Sequence, residues 1–224
     1  MKIGIGQINT RIGDFSANAK KIEEACLSLA KDGAEFAVFP ECCVSGYPLK
    51  DLASIKKFIE SAQAALQSLS GKLPIPAIVG CPRLEHGSAG VRNSAYLIDG
   101  GSIKKICDKH LLPNYGALND ARIFDPGSDF GLVKIRGKSI GVTICEDIWT
   151  IPTIHTAGRY EYFPRPLEHF ANLKKSDPSA LDILVNISAS VFSSGNDTVR
   201  RKGGLMCEVS RFVGVPLVWC NLVG

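Results

Sequence analysis

Apolar residues recur along this chain in two rhythms. Near the N-terminus Ile3 and Ile5 alternate with glycines, and Ile8 follows slightly out of phase, which predicts a strand over 2–8. Ala19, Ile22, Cys26, Leu29 and Ala30 then share one face of a 3.6-residue period. That predicts a helix over 17–31, closed by Gly33. Residues 36–39 form a short apolar strand stopped by Pro40. Leu52, Ile55, Ile59, Ala62, Leu66 and Leu69 make a second helical stripe, and 75–81 reads as another strand.

The middle of the chain changes rhythm. Residues 92–98, 102–107, 131–136 and 138–145 read as strands separated by glycine-containing turns, with Asp99-Gly100-Gly101 and the stretch 134–139 as hairpin turns. A strand over 183–187, a helix over 197–213 and a strand over 216–220 complete the pattern. The stretch 151–168 has no clear period and reads as a long loop, of a length usually functional or mobile. Helix–strand alternation at both ends, with hairpins between, predicts one α/β domain built on mixed sheets.

Composition narrows the class. Of 224 residues, 45% are hydrophobic and 21% charged, which excludes a disordered chain, a collagen and a disulfide miniprotein. No apolar stretch reaches the ~20 residues of a membrane helix. The sequence opens directly on an alternating strand, so no secretory leader is expected. The net charge is +4 and the longest basic cluster is Arg200, Arg201 and Lys202, too sparse for a nucleic-acid-binding face. Eight cysteines, none in a C-x-x-C pair, are mostly set in apolar segments and point to a reduced, cytoplasmic interior. The four histidines lack metal-ligand spacing. Gly137-Lys138-Ser139 lacks the earlier glycine of a phosphate loop, and there is no G-x-G-x-x-G.

Three segments place reactive side chains where an apolar strand ends. Pro40 ends one strand and leaves Glu41 at its mouth. Lys109 follows the strand over 102–107. Cys145 ends the β-prone run Ile140-Gly-Val-Thr-Ile and is followed at once by Glu146 and Asp147. Two carboxylates alone would raise a thiol pKa, so a cation is needed to hold a thiolate there, and Lys109 is the candidate. A carboxylate, an amine and a thiol can divide labour: general base, oxyanion partner and nucleophile.

The wording of these segments resembles the carbon–nitrogen hydrolase (nitrilase) superfamily. Phe39-Pro-Glu41, Lys109 with Leu-Pro-Asn-Tyr behind it, and Cys145-Glu-Asp-Ile-Trp149 carry the likeness. Ser45-Gly-Tyr-Pro-Leu-Lys-Asp-Leu52, Pro113-Asn-Tyr-Gly116 and Asn186-Ile-Ser-Ala-Ser190 draw it toward one branch, the glutaminase domains of glutamine-dependent NAD+ synthetases. The resemblance runs over 1–224. It implies a four-layer α-β-β-α sandwich with Glu41 as general base, Lys109 as oxyanion partner and Cys145 as nucleophile toward a glutamine side-chain amide. Tyr115, Glu146, Ser188 and Ser190 fall in motifs that line the glutamine pocket of that branch, where Glu146 suits the substrate ammonium group.

The resemblance also implies a homo-oligomer and an ammonia-accepting synthetase domain. No metal or organic cofactor is implied for the amidase reaction, since ATP and magnesium belong to the synthetase domain. Such relatives continue beyond a strand like Trp219–Gly224, so the chain is expected to lack its C-terminal end and the synthetase domain. Two positions depart from the branch: Val191 stands where it reads proline, and Asn196 where a basic residue is common. They leave room for a stand-alone ω-amidase or nitrilase-like hydrolase of another small amide. A non-catalytic module is the third alternative, opposed by the intact Glu41, Lys109 and Cys145.

Overall fold

The computed structural model describes residues 1–85, 90–116, 118–151, 165–191 and 204–223. Strand β1 (Ile3–Ile5), helix α1 (Phe15–Lys31), β2 (Phe36–Val38), α2 (Lys56–Gln67), β3 (Ala77–Leu84), β4 (Val91–Asp99) and β5 (Ser102–Asp108) come first. Then follow β6 (Gly131–Ile135), β7 (Lys138–Ile144), α3 (Pro166–Ser176), β8 (Ile183–Ser188), α4 (Leu205–Val213) and β9 (Leu217–Asn221). One sheet has the order β1-β2-β3-β4-β5 and the other β6-β7-β8-β9. In the first, β1, β2 and β3 are parallel and β4 and β5 add antiparallel. In the second, β6 is antiparallel to β7, and β7, β8 and β9 are parallel.

The pleat explains why the central strands read as unbroken apolar runs. Phe36 and Val38 of β2 and Ile78 of β3 point toward the second sheet, where they meet Ile140, Val142, Ile144, Val185 and Ile187. Ala37, Ala77 and Val79 point the other way, into a layer with Ile22 and Cys26 of α1 and Leu66 of α2. The far face of the second sheet is covered by Leu167 and Phe170 of α3 and Val209 and Val213 of α4. A sheet covered on both faces has no polar side to alternate with. The four layers are therefore α-β-β-α, as the resemblance implied.

Local chemistry sets the joints. Asp14 caps α1 by accepting from Ala17 N, and Gly33 (φ +81) takes the left-handed turn behind it. Gly100 and Gly101, both at positive φ, close the β4–β5 hairpin as a primed turn.

Three expectations need correction. The N-terminal strand covers only 3–5 of 2–8. The second helical stripe is broken: Leu52 lies in a short 3-10 turn, Lys50–Ser54, and Ile55 is extended (φ −91, ψ 101) before α2 starts. The expected loop over 151–168 runs into α3, whose first residues are 166–168; Pro166 opens the helix at a position where its missing N–H is harmless. Residues 152–164 of that stretch, and 197–203 of the helix expected over 197–213, lie outside the described residues.

Candidate active site

β2, β3 and β5 point in one direction, because β5 is antiparallel to β4 and β4 to β3. Glu41 and Lys109 therefore leave the same end of the first sheet. The end of the second sheet that carries Cys145 meets them: Ala189 N, just past β8, donates to Glu41 Oε2 at 2.8 Å. The Glu41 turn is tight. Cys42 has φ +48, and the backbone of 40–42 presses on Gly80, where an added Cβ would lie 2.5 Å from Cys42 N and 2.6 Å from Pro40 O. Glycine at 80 is what lets β3 pass beneath it. Lys109 is fixed through its main chain, donating to Asn93 O at 2.8 Å and accepting from Gly127 N at 2.7 Å.

The side chains converge in a dry cluster. Lys109 Nζ lies 2.7 Å from Glu41 Oε1 and 2.5 Å from Asp120 Oδ2, and the Lys109 and Glu41 side chains are both 0% exposed. Asn93 Nδ2 donates to Glu41 Oε1 at 2.7 Å, and Tyr47 OH donates to Asp120 Oδ1 at 2.8 Å. Burial alone would strip the proton from Lys109. The charges of Glu41, Cys145 and Asp120 outweigh it and hold the ammonium well above its ordinary value. Burial raises the Glu41 carboxyl above the usual range, against the pull of Lys109 and with the push of Asp120. One cation thus faces two carboxylates.

Cys145 turns sharply out of β7 with φ +47, a left-handed conformation that costs a non-glycine residue about 1–3 kcal/mol and is kept where the surroundings over-determine it. It opens a 3-10 turn, Cys145–Ile148. Asn186 Nδ2 contacts the Cys145 carbonyl at 3.4 Å and Thr143 Oγ1 at 3.0 Å. Burial, followed by the charge of Glu41, pushes the Cys145 thiol up to about 12, while Lys109 pulls against them. This corrects one expectation. The pull of Lys109 does not offset the burial of the thiol and the charge of Glu41 beside it, so the thiol is pushed up rather than down.

The four expected pocket residues part company. Tyr115 OH is 2.8 Å from both oxygens of the buried Glu146 carboxylate, one position past Cys145. Ser190 Oγ lies 3.6 Å from Cys145 Sγ, and its backbone is tied to the Asn221 amide. Ser188 instead faces back into the second sheet. Its hydroxyl donates to Asn186 Oδ1 at 2.7 Å and accepts from Trp219 Nε1 at 3.0 Å. Val191 is exposed, and Asn196 lies outside the described residues.

Asp120 and Asn93 were not expected. Asp120 stands 11 residues past Lys109 in a loop without period, where nothing local separates a buried aspartate from a solvated one. Asn93 stands between Arg92 and Ser94 at the polar start of β4, where its burial gave no separate signal in the sequence.

The fold, with a carboxylate, an ammonium and a thiol at its strand ends, defines a hydrolase-type site of one family. The chain belongs to the carbon-nitrogen hydrolase family, whose pattern matches residues 2–161. Among its relatives, the glutamine-dependent NAD(+) synthetase of Synechocystis sp. is 33% identical over 99% of this chain and 39% of its own length. The structure of glutamine-dependent NAD+ synthetase from Acinetobacter baumannii is 25% identical, with a TM-score of 0.79 over 99% of this chain and 38% of that one. An amidase of the nitrilase superfamily from Nesterenkonia AN1 shares the fold at 18% identity, with a TM-score of 0.76 over 100% of this chain and 77% of that one. The chain spans well under half the length of the two synthetases it matches.

Proposed function

We propose that this chain hydrolyses the side-chain amide of glutamine through a Cys145 thioester and supplies the ammonia to glutamine-dependent NAD+ synthesis. The observation that carries the reading is the buried Glu41–Lys109–Asp120 cluster set against Cys145. Its similarity to NAD+ synthetases over nearly its whole length supports the choice of amide.

A thiol held near 12 does not attack as a free thiolate at neutral pH, so its proton must leave as the S–C bond forms. Glu41, whose affinity for a proton is raised, takes it. The carbonyl oxygen gains charge beside the Lys109 ammonium, which stabilises it. Asp120 keeps that ammonium charged and in place. The tetrahedral species collapses, the C–N bond breaks, and Glu41 returns the proton to the leaving nitrogen. Water then attacks the γ-glutamyl thioester, Glu41 takes the water proton, and the C–S bond breaks to give glutamate and the restored thiol. Every proton in this sequence is carried by Glu41, Cys145 or water, and the proposal assigns no metal or organic cofactor to it.

Glu146, held by Tyr115, receives the substrate ammonium group, and Ser190 borders the thiol. The partner is an ammonia-accepting synthetase domain with its own ATP and magnesium, in a cytoplasmic homo-oligomer. No helix among the described residues is long and apolar enough to cross a membrane. The test is ammonia release from a panel of small amides. Glutamine is expected to be the best substrate, and Cys145→Ala inactive. Faster turnover of another amide would move the reading to a stand-alone amidase, and an active Cys145→Ala protein would remove the nucleophile.

A further inference from the structure

The two charged turns and the thiol turn belong to different sheets, and one side chain ties two of them together. Asp147, 1% exposed, lies two residues past Cys145. Its Oδ1 accepts from His110 N at 3.0 Å and from Leu111 N at 2.9 Å, the two residues directly after Lys109. Its Oδ2 accepts from Ile144 N at 3.0 Å, the residue directly before Cys145. One carboxylate therefore holds the backbone on the far side of Lys109 and the near side of Cys145. The His110 ring closes over it, with Nδ1 3.9 Å from Oδ2 and its face stacked on Phe130 at 4.9 Å.

We infer that Asp147 is a positioning residue for amide hydrolysis: it sets the spacing between the Lys109 ammonium and the Cys145 thiol across the two sheets. This rests on the roles proposed above for Lys109 and Cys145. The chemistry of the acceptor set argues for spacing rather than bonding alone. Three main-chain N–H groups aimed at two oxygens leave no orientation in which an amide serves them all, because the NH2 of an asparagine would face a donor. A misplacement of ~1 Å between reacting groups costs about 100-fold in rate. Asp182 is a comparison carboxylate that bonds the same strand, part-exposed and paired with Lys138 Nζ at 3.0 Å. It accepts from Ser139 N at 2.8 Å at the opposite end of β7, far from the thiol, and so serves the same strand structurally.

The experiment compares Asp147→Asn, Asp147→Glu and Asp182→Asn. It reads glutamine kcat and KM and the rate at which iodoacetamide alkylates Cys145 across pH, with peptide mapping to exclude the other thiols. Asp147→Asn is expected to lower kcat about 100-fold with KM nearly unchanged, and to alter the alkylation profile of Cys145. Asp147→Glu keeps the charge and both acceptor oxygens but adds one methylene. It is expected to fold and still lose about tenfold in kcat, so the question stays open to test even if the asparagine variant does not fold. Asp182→Asn is expected to lower stability only. Parent-like kcat and alkylation in either folded Asp147 variant, or equal losses in Asp182→Asn, would overturn the assignment. A parent protein inactive on every amide would overturn the proposed reaction instead, while the alkylation comparison would still judge Asp147.

Discussion

Asp108 and Lys109 are neighbours at the end of β5, yet they anchor charge clusters of opposite character. Around Asp108 the charges balance: Arg83, Arg92 and Lys105 meet Glu85, Asp108 and Asp129 near the surface. Arg83 grips Asp108 with two bonds, at 3.1 and 2.7 Å. Burial would raise the Asp108 carboxyl, but the bonds from Arg83 and Ser94 outweigh it and hold it below the usual range. Around Lys109 one ammonium faces two carboxylates with no exposure to water, and the Glu41 carboxyl is pushed the other way. The same residue types give a locked ion-pair network in one place and a proton-accepting carboxylate in the other. Charge balance and hydration decide which.

The test of that contrast that combines loss of stability with loss of turnover removes each cation in turn. Lys109→Met strands two carboxylates in a dry site, which is expected to cost about 3–5 kcal/mol of stability. It is also expected to remove about 100- to 1000-fold of turnover, as loss of an oxyanion donor does. Arg83→Met leaves Asp108 with Ser94 and Lys105 and is expected to cost about 1–3 kcal/mol with turnover little changed. Urea unfolding beside ammonia release separates the two. Equal losses of activity would break the contrast.

Glu41→Gln is expected to lower turnover about 100- to 10,000-fold while making Cys145 more reactive to iodoacetamide. The sign follows from the causes acting on the thiol. Burial raises it most and remains in the variant; the Glu41 charge also raises it and is removed; Lys109 lowers it and remains. In the parent the thiol stays protonated up to about 12, so alkylation should climb with pH without a plateau below 10. In the variant the curve should shift to lower pH. An unshifted curve would mean that Glu41 does not face the thiol.

Gly80→Ala probes the backbone that delivers Glu41. The new Cβ would collide with Cys42 N and Pro40 O, so the turn must move, and about 100-fold in kcat is expected to be lost. Gly71→Ala meets nothing within 4 Å but sits at φ +72, and is expected to cost about 1–2 kcal/mol of stability without loss of turnover. Activity measured beside a thermal melt distinguishes displacement of the site from plain destabilisation.

The three strand-end residues were legible because strands announce their own ends. Pro40 stops β2, and the run from Ile140 to Ile144 stops at the first ionisable side chain. What lay in the loops was not legible. Asp120 joins Lys109 by folding of an aperiodic segment, and burial of one loop aspartate leaves no mark on its neighbours. Helix α3 was hidden because its buried residues, Pro166, Leu167 and Phe170, are few, and Pro164 and Pro166 imitate a loop. Ser188 is the last residue of β8, whereas Ser190 lies past its end, where the period of two that would keep both on one face no longer holds; one turns back toward Trp219 and the other toward Cys145. A motif names both residues but cannot divide them.

The smallest expected effect decides where Glu146 belongs. The Tyr115 hydroxyl lies 2.8 Å from both Glu146 oxygens, and Tyr115 is 41% exposed while Glu146 is buried. If this carboxylate receives the substrate ammonium group, Tyr115 orients a binding contact made equally in ground and transition states. Tyr115→Phe should then cost about 1.4 kcal/mol, close to the net worth of one hydrogen bond to a charged group. That is about tenfold in KM for glutamine with kcat near the parent value. If Glu146 instead steers the Lys109 cluster, the same change should lower kcat and leave KM alone. An amide lacking the α-ammonium group sharpens the choice. On such a substrate Tyr115→Phe should match the parent under the first assignment and remain impaired under the second. Glu146 would then belong with Asp120, as a second carboxylate acting on the Lys109 ammonium.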